Sequence, residues 1–561
     1  MEYVLRTAII TAMNELELPR ADFIVEHPNE TAHGDYAANV ALVAAKAAGQ
    51  PPRELAERLK TELEGSVEYV DRVEVAGPGF LNFYLSRDFF ATEVGRAREL
   101  AGQWGQGDAW LGKTVVVEYT DPNPFKEFHI GHLFTNAVGE SVARLFMFNS
   151  ATTKRVNYQG DIGIHVACAV WGLQQAGHTD TDELSAAVLG EAYARGATAY
   201  KEDAAAATDI KSINKQLYER SDDTLNALYD HGRHTSLEYF ETIYQILGTE
   251  FDEYFFESET GPLGAELVRE NPEVFPESDG ARVFPGEQYG LHTRVVLNQE
   301  GLPTYEAKEL ALPQLKEDRL GHYDHSVIVT ANEVTEYFKV LLTALKQLYP
   351  ALAAKTEHVG HGMVRLASGK MSSRTGDVIS ALELIEDVSK AARERMAATT
   401  TTSEDDTLAN DIAIAAIKYD TLRSSISQDS IFDKERALSF EGDSGPYLQY
   451  THARICSVLE KAKSAGVLDQ DAVMPAVPYE VERLLYRFPE VIEMALAERA
   501  PHHVTGFLTE LASAFNTFYA KEPIADPTDP HAAYKAAVAD AVRHTLKNGL
   551  WVLGIKAPER M

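Results

Sequence analysis

The stretch Thr114-Val115-Val116-Val117-Glu118-Tyr119-Thr120-Asp121-Pro122-Asn123-Pro124-Phe125-Lys126-Glu127-Phe128-His129-Ile130-Gly131-His132 decides how this chain folds. Its first part is a β-branched apolar run of the kind buried in parallel sheets. Proline and asparagine then open a loop, and the histidines fall where the helix-patterned run Leu133 to Phe148 begins. Strand, loop and helix in that order form one βα step of a doubly wound sheet. A helix N-terminus at the carboxyl end of a central strand is an anion site. His129 and His132 are three apart and share one helical face, and Gly131 leaves room for a flat base or ribose against the backbone. The imidazoles are therefore placed to hydrogen-bond phosphate oxygens and to stabilise a charged transition state.

Working outward, residues 1–86 open with a helical pattern and pass through His33-Gly34-Asp35-Tyr36 into an Ala-rich helix. They close on strand-like Val73-Glu74-Val75 and Phe80 to Leu85 around a Gly77-Pro78-Gly79 turn. This predicts a small α+β domain. Residues 112–398 carry further strand-like runs at Arg155 to Tyr158, Thr293 to Leu297 and Ser326 to Thr330, and residues of about 170–290 read as a helical insertion. After the linker Thr399 to Ser403, residues 405–561 are helical in pattern, punctuated by Pro475, Pro478, Pro523, Pro527 and Pro530. The expected fold class is α/β: a Rossmann-type catalytic domain with a helical insertion, a small α+β N-terminal domain and an all-α C-terminal domain.

Composition narrows the function classes. With 561 residues, 45% hydrophobic and 24% charged, the chain is a multidomain globular protein and neither disordered nor collagen-like. No apolar run reaches the roughly 18 residues of a membrane span, and Met1 to Arg20 is amphipathic, so no membrane partner and a cytoplasmic location are expected. Cys168 and Cys456 alone exclude a disulfide framework or a cysteine-rich zinc site, and no protein-held metal is expected. The net charge of −33 means that any polyanionic partner is met by local basic patches. Residues 200–290 hold 7 Lys+Arg against 20 Asp+Glu, so this segment is expected to face away from RNA. The acidity itself serves solubility or a salty cytoplasm.

A second motif lies about 240 residues downstream, Gly369-Lys370-Met371-Ser372-Ser373-Arg374-Thr375-Gly376. Gly and Ser suit a loop, and Lys370 and Arg374 can close over a triphosphate as charge moves to pyrophosphate. His129 to His132 and Lys370 to Arg374 together resemble the two signatures of class I aminoacyl-tRNA synthetases. The segments Glu118 to Asn123, Asn157-Tyr158-Gln159-Gly160-Asp161-Ile162-Gly163 and Tyr305-Glu306-Ala307-Lys308-Glu309 narrow the resemblance to the arginyl-tRNA synthetase family. Leu438 to Tyr450 and Lys547 to Met561 are similar to that family's helical anticodon-binding domain, and His33 to Tyr36 with Gly77 to Leu85 to its N-terminal domain, which touches the tRNA elbow.

The resemblance implies ATP-dependent ligation of L-arginine to tRNA(Arg) through arginyl-adenylate, with ATP and substrate-bound Mg²⁺, by a monomer. It implies catalytic roles for His129, His132, Lys370 and Arg374, and ATP contacts from His129, Gly131, His132, Lys370, Met371 and Ser372. Glu118 and Asn123 would hold arginine's α-amino group and carboxylate, and Tyr305 and Glu309 its guanidinium. A carboxylate and an aromatic face suit that planar cationic fork. The chain departs from the pattern at Glu309, where Asp is common, and at Val334, where many members carry a pocket Gln, with Glu333 or Asn332 as substitutes. Ile162 and His165 stand where many relatives have Trp and Gln, and Ser373 where other class I enzymes have a second Lys. Two other readings stay open at this point: a small nucleotidyl transferase sharing the histidine helix, and a silent paralogue that binds RNA.

Overall fold

The computed structural model describes residues 1–366, 380–399 and 406–561. Its contacts divide the chain into two compact units: residues 1–104 with 455–488 and 511–545, and residues 105–454 with 489–510 and 546–561.

In the first unit, helices α1 (Glu2–Glu15), α2 (Val40–Ala48) and α3 (Pro52–Leu63) cover an antiparallel sheet. The sheet is made of β1 (Val25–Glu26), β2 (Tyr36–Ala38), β3 (Val70–Ala76) and β4 (Phe80–Leu85), in the order β1-β2-β4-β3, and α4 (Arg87–Leu100) follows it. The core joins Leu5, Ile9, Tyr36, Leu55, Leu59, Phe83, Phe89 and Phe90 to Tyr486 from the distant 455–488 segment. The His33 to Tyr36 segment is a structural corner. Gly34 sits at φ +94°, and a Cβ there would lie 2.7 Å from the Phe83 carbonyl oxygen. Asp35 accepts the Leu85 amide at 2.8 Å and pairs with Arg483.

A second buried charge ties the same elements together. Glu482, whose side chain is fully buried, accepts from Arg87 at 2.9 Å, from the Tyr479 amide at 2.8 Å and from the Tyr534 hydroxyl. Glu482→Ala strands all three donors. It should destabilise the protein by about 3–5 kcal/mol, the usual cost of removing one partner of a buried pair. An unchanged midpoint in urea denaturation would show that the pair contributes nothing.

The second unit is built on a five-stranded parallel sheet in the order β12-β11-β5-β6-β7. Its strands are β5 (Thr114–Glu118), β6 (Thr152–Gln159), β7 (Glu253–Phe256), β11 (His325–Ala331) and β12 (Thr356–His361). Val115, Val116 and Val117 are completely buried, as the opening run predicts. Because β5 is central, the chain winds outward through β6 to β7 and then returns to add β11 and β12 on the other side. The reversal leaves a crevice at the carboxyl end of β5, the place where such sheets bind ligands. Helix α5 (Ile130–Phe148) begins there.

Helices α6 (Ile164–Gln175), α7 (Ala186–Glu202), α8 (Ala204–Glu219) and α9 (Asp223–Leu247) form the helical interruption, after which β7 rejoins the sheet. α10 (Glu257–Glu270) follows β7 directly. The Thr293 to Leu297 run differs from the sequence expectation. It forms β10 (Arg294–Leu297), which pairs antiparallel with β9 (Ala281–Phe284) and through it with β8 (Glu277–Ser278) in a separate three-stranded sheet. That sheet is only half buried along β10, which its β-branched residues do not reveal. The remaining helices of the α/β region are α11 (Tyr305–Leu320), α12 (Thr335–Leu348), α13 (Pro350–Ala354) and α14 (Ala381–Thr399). Beyond the linker, whose residues 400–405 lie outside the described set, the chain is helical apart from β14 (Ser430–Phe432), which pairs with β13 (Val364–Leu366).

Candidate active site

At the start of α5 the two histidines are bound to backbone and to each other. His129 Nδ1 accepts the Gly131 amide at 3.1 Å, and His132 Nδ1 accepts the His129 amide at 3.3 Å. Their rings stack with centroids 3.7 Å apart. A Cβ on Gly131 would lie 2.9 Å from His129 Cε1, so this packing requires glycine. Burial pushes His129 down to about 4, with the nearby Lys126 charge adding to the effect. Burial, His129 and Lys126 hold His132 well below its usual range. Both rings are therefore neutral at pH 7, and a neutral imidazole that accepts at Nδ1 carries its proton on Nε2. Each presents one Nε2–H donor.

Lys370, Met371, Ser372 and Arg374 lie outside the described residues. The chain just past them is placed, however: Ser380 bridges His129, and the Ala381 amide donates to the Phe128 carbonyl at 2.8 Å.

A cluster of carboxylates surrounds the head of β5. Glu118 is buried against Lys316 of α11, at 2.5 Å. Of the residues expected to touch substrate, it is the one whose placement supports direct contact least, since its side chain and that of Lys316 are each 2% exposed. Asn123 packs over Gly160: a Cβ there would lie 2.2 Å from Asn123 Oδ1 and 3.4 Å from the Glu257 carboxyl carbon. Tyr305, the first residue of α11, is largely exposed and lies over Lys308 Nζ at 5.3 Å. Glu309, one residue further, faces the same region. Burial pushes its carboxyl well up, and the charges of Glu118, Asp121 and Glu257 push the same way against Lys316. The structure thus brings Asn123, Tyr305 and Glu309 together around Glu257.

Several residues that the sequence reading did not single out belong with them. Glu257, at the start of α10, is buried and bonds Lys308 at 2.6 Å, and Lys308 also donates to the Ile162 carbonyl at 3.2 Å. Tyr337 of α12 has a buried hydroxyl without a partner among the described residues, beside Glu309, Glu306 and Glu257. Lys126, inside the opening stretch, is the cation closest to the histidines in electrostatic effect. Its position between the loop and the histidine helix was the available signal. Val334 is half-buried on the apolar cluster around Phe338 and Leu341, while Asn332 and Glu333 are exposed. Ile162 is buried, and His165 Nε2 bonds the Gly160 carbonyl at 2.8 Å, with burial and Lys126 holding the ring down to about 3.

Comparison with known proteins addresses the whole chain. Residues 101–434 match the family described as tRNA synthetases class I (R), catalytic domain. Residues 3–85 match the arginyl tRNA synthetase N terminal domain, and 448–561 the DALR anticodon binding domain. An arginine–tRNA ligase of Treponema pallidum is 30% identical, with 99% of each chain covered, and one of Clostridium beijerinckii is 29% identical over 100% of both. The arginyl-tRNA synthetase of Thermus thermophilus superposes with a TM-score of 0.77 over the full length of both chains at 24% identity. That of Plasmodium falciparum gives 0.81 at 20% identity, over 100% of this chain and 98% of the other. These two likenesses speak to the fold, which is the same mixed α/β arrangement. With its catalytic region and both flanking domains matched, the chain belongs to the class I arginyl-tRNA synthetase family.

Proposed function

We propose that the crevice at the head of β5 is where this arginine–tRNA ligase joins ATP to arginine and passes the product to tRNA(Arg), and that the residues around it divide the work as follows. As in the family, ATP is the activating substrate. The arginine carboxylate attacks the α-phosphorus in line, and arginyl-adenylate and pyrophosphate result. The Nε2–H groups of His129 and His132 donate to phosphate oxygens as charge builds, and Gly131 leaves room for the ribose. Lys370 and Arg374, with Met371 and Ser372 shaping the loop, meet charge on the departing pyrophosphate. Mg²⁺ enters bound to the triphosphate. Asn123 orients the amino acid's head group, and Glu309 with Tyr305 reads the guanidinium, helped by Glu257. Glu118 acts on the pocket through Lys316. The adenylate then acylates the terminal adenosine, and since positioning and electrostatics carry the chemistry, no nucleophilic side chain is needed.

The observation that carries this reading is the neutral, stacked histidine pair at the N-terminus of α5. ATP–pyrophosphate exchange, measured with and without arginine and with and without tRNA, tests it. Exchange without any requirement for arginine would overturn it.

The same reading assigns residues 1–86 to the tRNA elbow, 112–398 to catalysis with the helical insertion over α6 to α9, and 405–561 to the anticodon. It takes the enzyme to be a cytoplasmic monomer. No described helix is long and apolar enough to cross a membrane. Residues 405–561 carry 16 Lys+Arg against 23 Asp+Glu, so RNA binding there calls for a local basic strip. Affinity for tRNA should then fall by roughly 10³-fold or more between about 50 and 200 mM salt, as release of counterions from six or more phosphates requires. Binding that ignores salt would remove phosphate contact from the account.

A further inference from the structure

The pocket holds more acids than described cations. Five carboxylates converge on the heads of β5 and β6: Glu118, Asp121, Asp161, Glu257 and Glu309. Three have a cationic partner: Glu118 with Lys316 at 2.5 Å, Glu257 with Lys308 at 2.6 Å, and Asp161 with Arg233 at 2.8 Å. Asp121 and Glu309 form no ion pair with a described residue. They are also the two that stay partly open, whereas Glu118, Asp161 and Glu257 are buried. Asp121 is fixed in a left-handed turn at φ +47°, and its Oδ1 accepts the Tyr158 amide at 2.8 Å. Two acids without a described cationic partner thus match in number the two cations of an arginine, its α-ammonium and its guanidinium.

We propose that arginine enters this pocket in exchange for protons, which Asp121 and Glu309 hold in the free protein and release to solvent when the substrate's two cations arrive. The proposal rests on the assignment of this pocket to arginine.

The surroundings of both acids favour the neutral form while the pocket is empty. Asp121 faces Glu118 of β5, Lys316 of α11 and the phenol of Tyr244 on α9. Burial and the Glu118 charge raise its carboxyl well above the usual range, against the Tyr158 amide and Lys316. Glu309 faces Glu118, Asp121 and Glu257, the phenols of Tyr158 and Tyr337, and Lys316 on its own helix, and it is raised in the same way. Like charges crowded in a desolvated site do not all ionise together. A bound cation beside each acid reverses this, so each proton leaves as its cation binds. The sign follows. Affinity for arginine is complete above the raised values and declines as pH falls through them, approaching tenfold per pH unit for each proton exchanged.

The test is calorimetric titration of the full chain with L-arginine at pH 6, 7 and 8, in phosphate and in imidazole, which take up protons with unlike heats over this range. The heats should differ between buffers and correspond to release of about half to two protons per arginine. The dissociation constant should fall by about three- to a hundredfold between pH 6 and 7, in step with the number of protons released. Asp121→Asn keeps the acceptor for the Tyr158 amide and should remove about half of the release while arginine still binds. Saturable binding with the same heat in both buffers at every pH overturns the proton exchange and leaves the pocket assignment standing. Absence of saturable arginine binding overturns both.

Discussion

Replacing His129 or His132 with alanine should lower arginine-dependent ATP–pyrophosphate exchange by about 10²–10³, the range for losing one preorganised donor to developing charge. The binding constant for ATP should move much less, because the hydrogen bonds strengthen only as the phosphorus becomes five-coordinate. Their geometry adds a further expectation. The rings stack at 3.7 Å, and His132 Nδ1 accepts the His129 amide, so removing either disturbs the other. The double variant should therefore be far less damaged than the product of the two single losses, as for groups that act as a unit. Near-normal exchange in the double variant would end the phosphate role. His132→Gln, which returns an N–H donor to the site, should recover part of the rate if donation is what matters.

Glu309→Gln should nearly abolish discrimination in favour of arginine's charge. A carboxylate meets the guanidinium with two parallel charge-assisted hydrogen bonds, which neutral citrulline weakens and lysine cannot reproduce in shape. Sites built on a buried polar partner discriminate by about 10⁴ or more, so the wild type should prefer arginine over citrulline on that scale. The variant should lose arginine exchange strongly while its citrulline exchange changes little. With Val334 apolar and packed into its cluster, no side chain from that position supplies a replacement contact. An unchanged arginine-to-citrulline ratio would move the reading of the side chain to Glu257, which already holds a cation, Lys308, at 2.6 Å. Glu333, the alternative that sequence alone offered, is exposed.

What could be read from the sequence follows from the range over which each signal acts. The β5 strand and α5 were legible because a β-branched run, a proline loop and a helical period are local patterns. The edge strands β7 and β12 were not, since Glu253-Tyr254-Phe255-Phe256 and Thr356 to His361 mix polar residues into positions that only one neighbour covers. β10 was recognised as a strand but assigned to the wrong sheet, because strand propensity says nothing about pairing partner. In the site, the histidines and Glu309 sit inside recognisable motifs. The charge pairs that set the pocket's balance, Lys316 with Glu118 and Lys308 with Glu257, join residues far apart in the chain. A partial signal did exist, for Glu309 and Lys316 are seven apart and so lie on one face of α11.

The division of the first unit has a consequence for how the protein is made. Residues 1–104 complete their core with Tyr486 and anchor Arg87 and Asp35 on Glu482 and Arg483, yet those partners are synthesised some 350 residues or more later. At about 5–20 residues per second, the nascent N-terminal region waits on the order of 20–70 s with Phe89, Phe90 and Tyr36 lacking their aromatic cover. It also waits with a buried-type carboxylate, Asp35, lacking its arginine. Its final packing thus comes late in synthesis and closes a very long loop. During that wait the exposed aromatic face is an invitation to a chaperone, or to the same face on the neighbouring chain of a polysome.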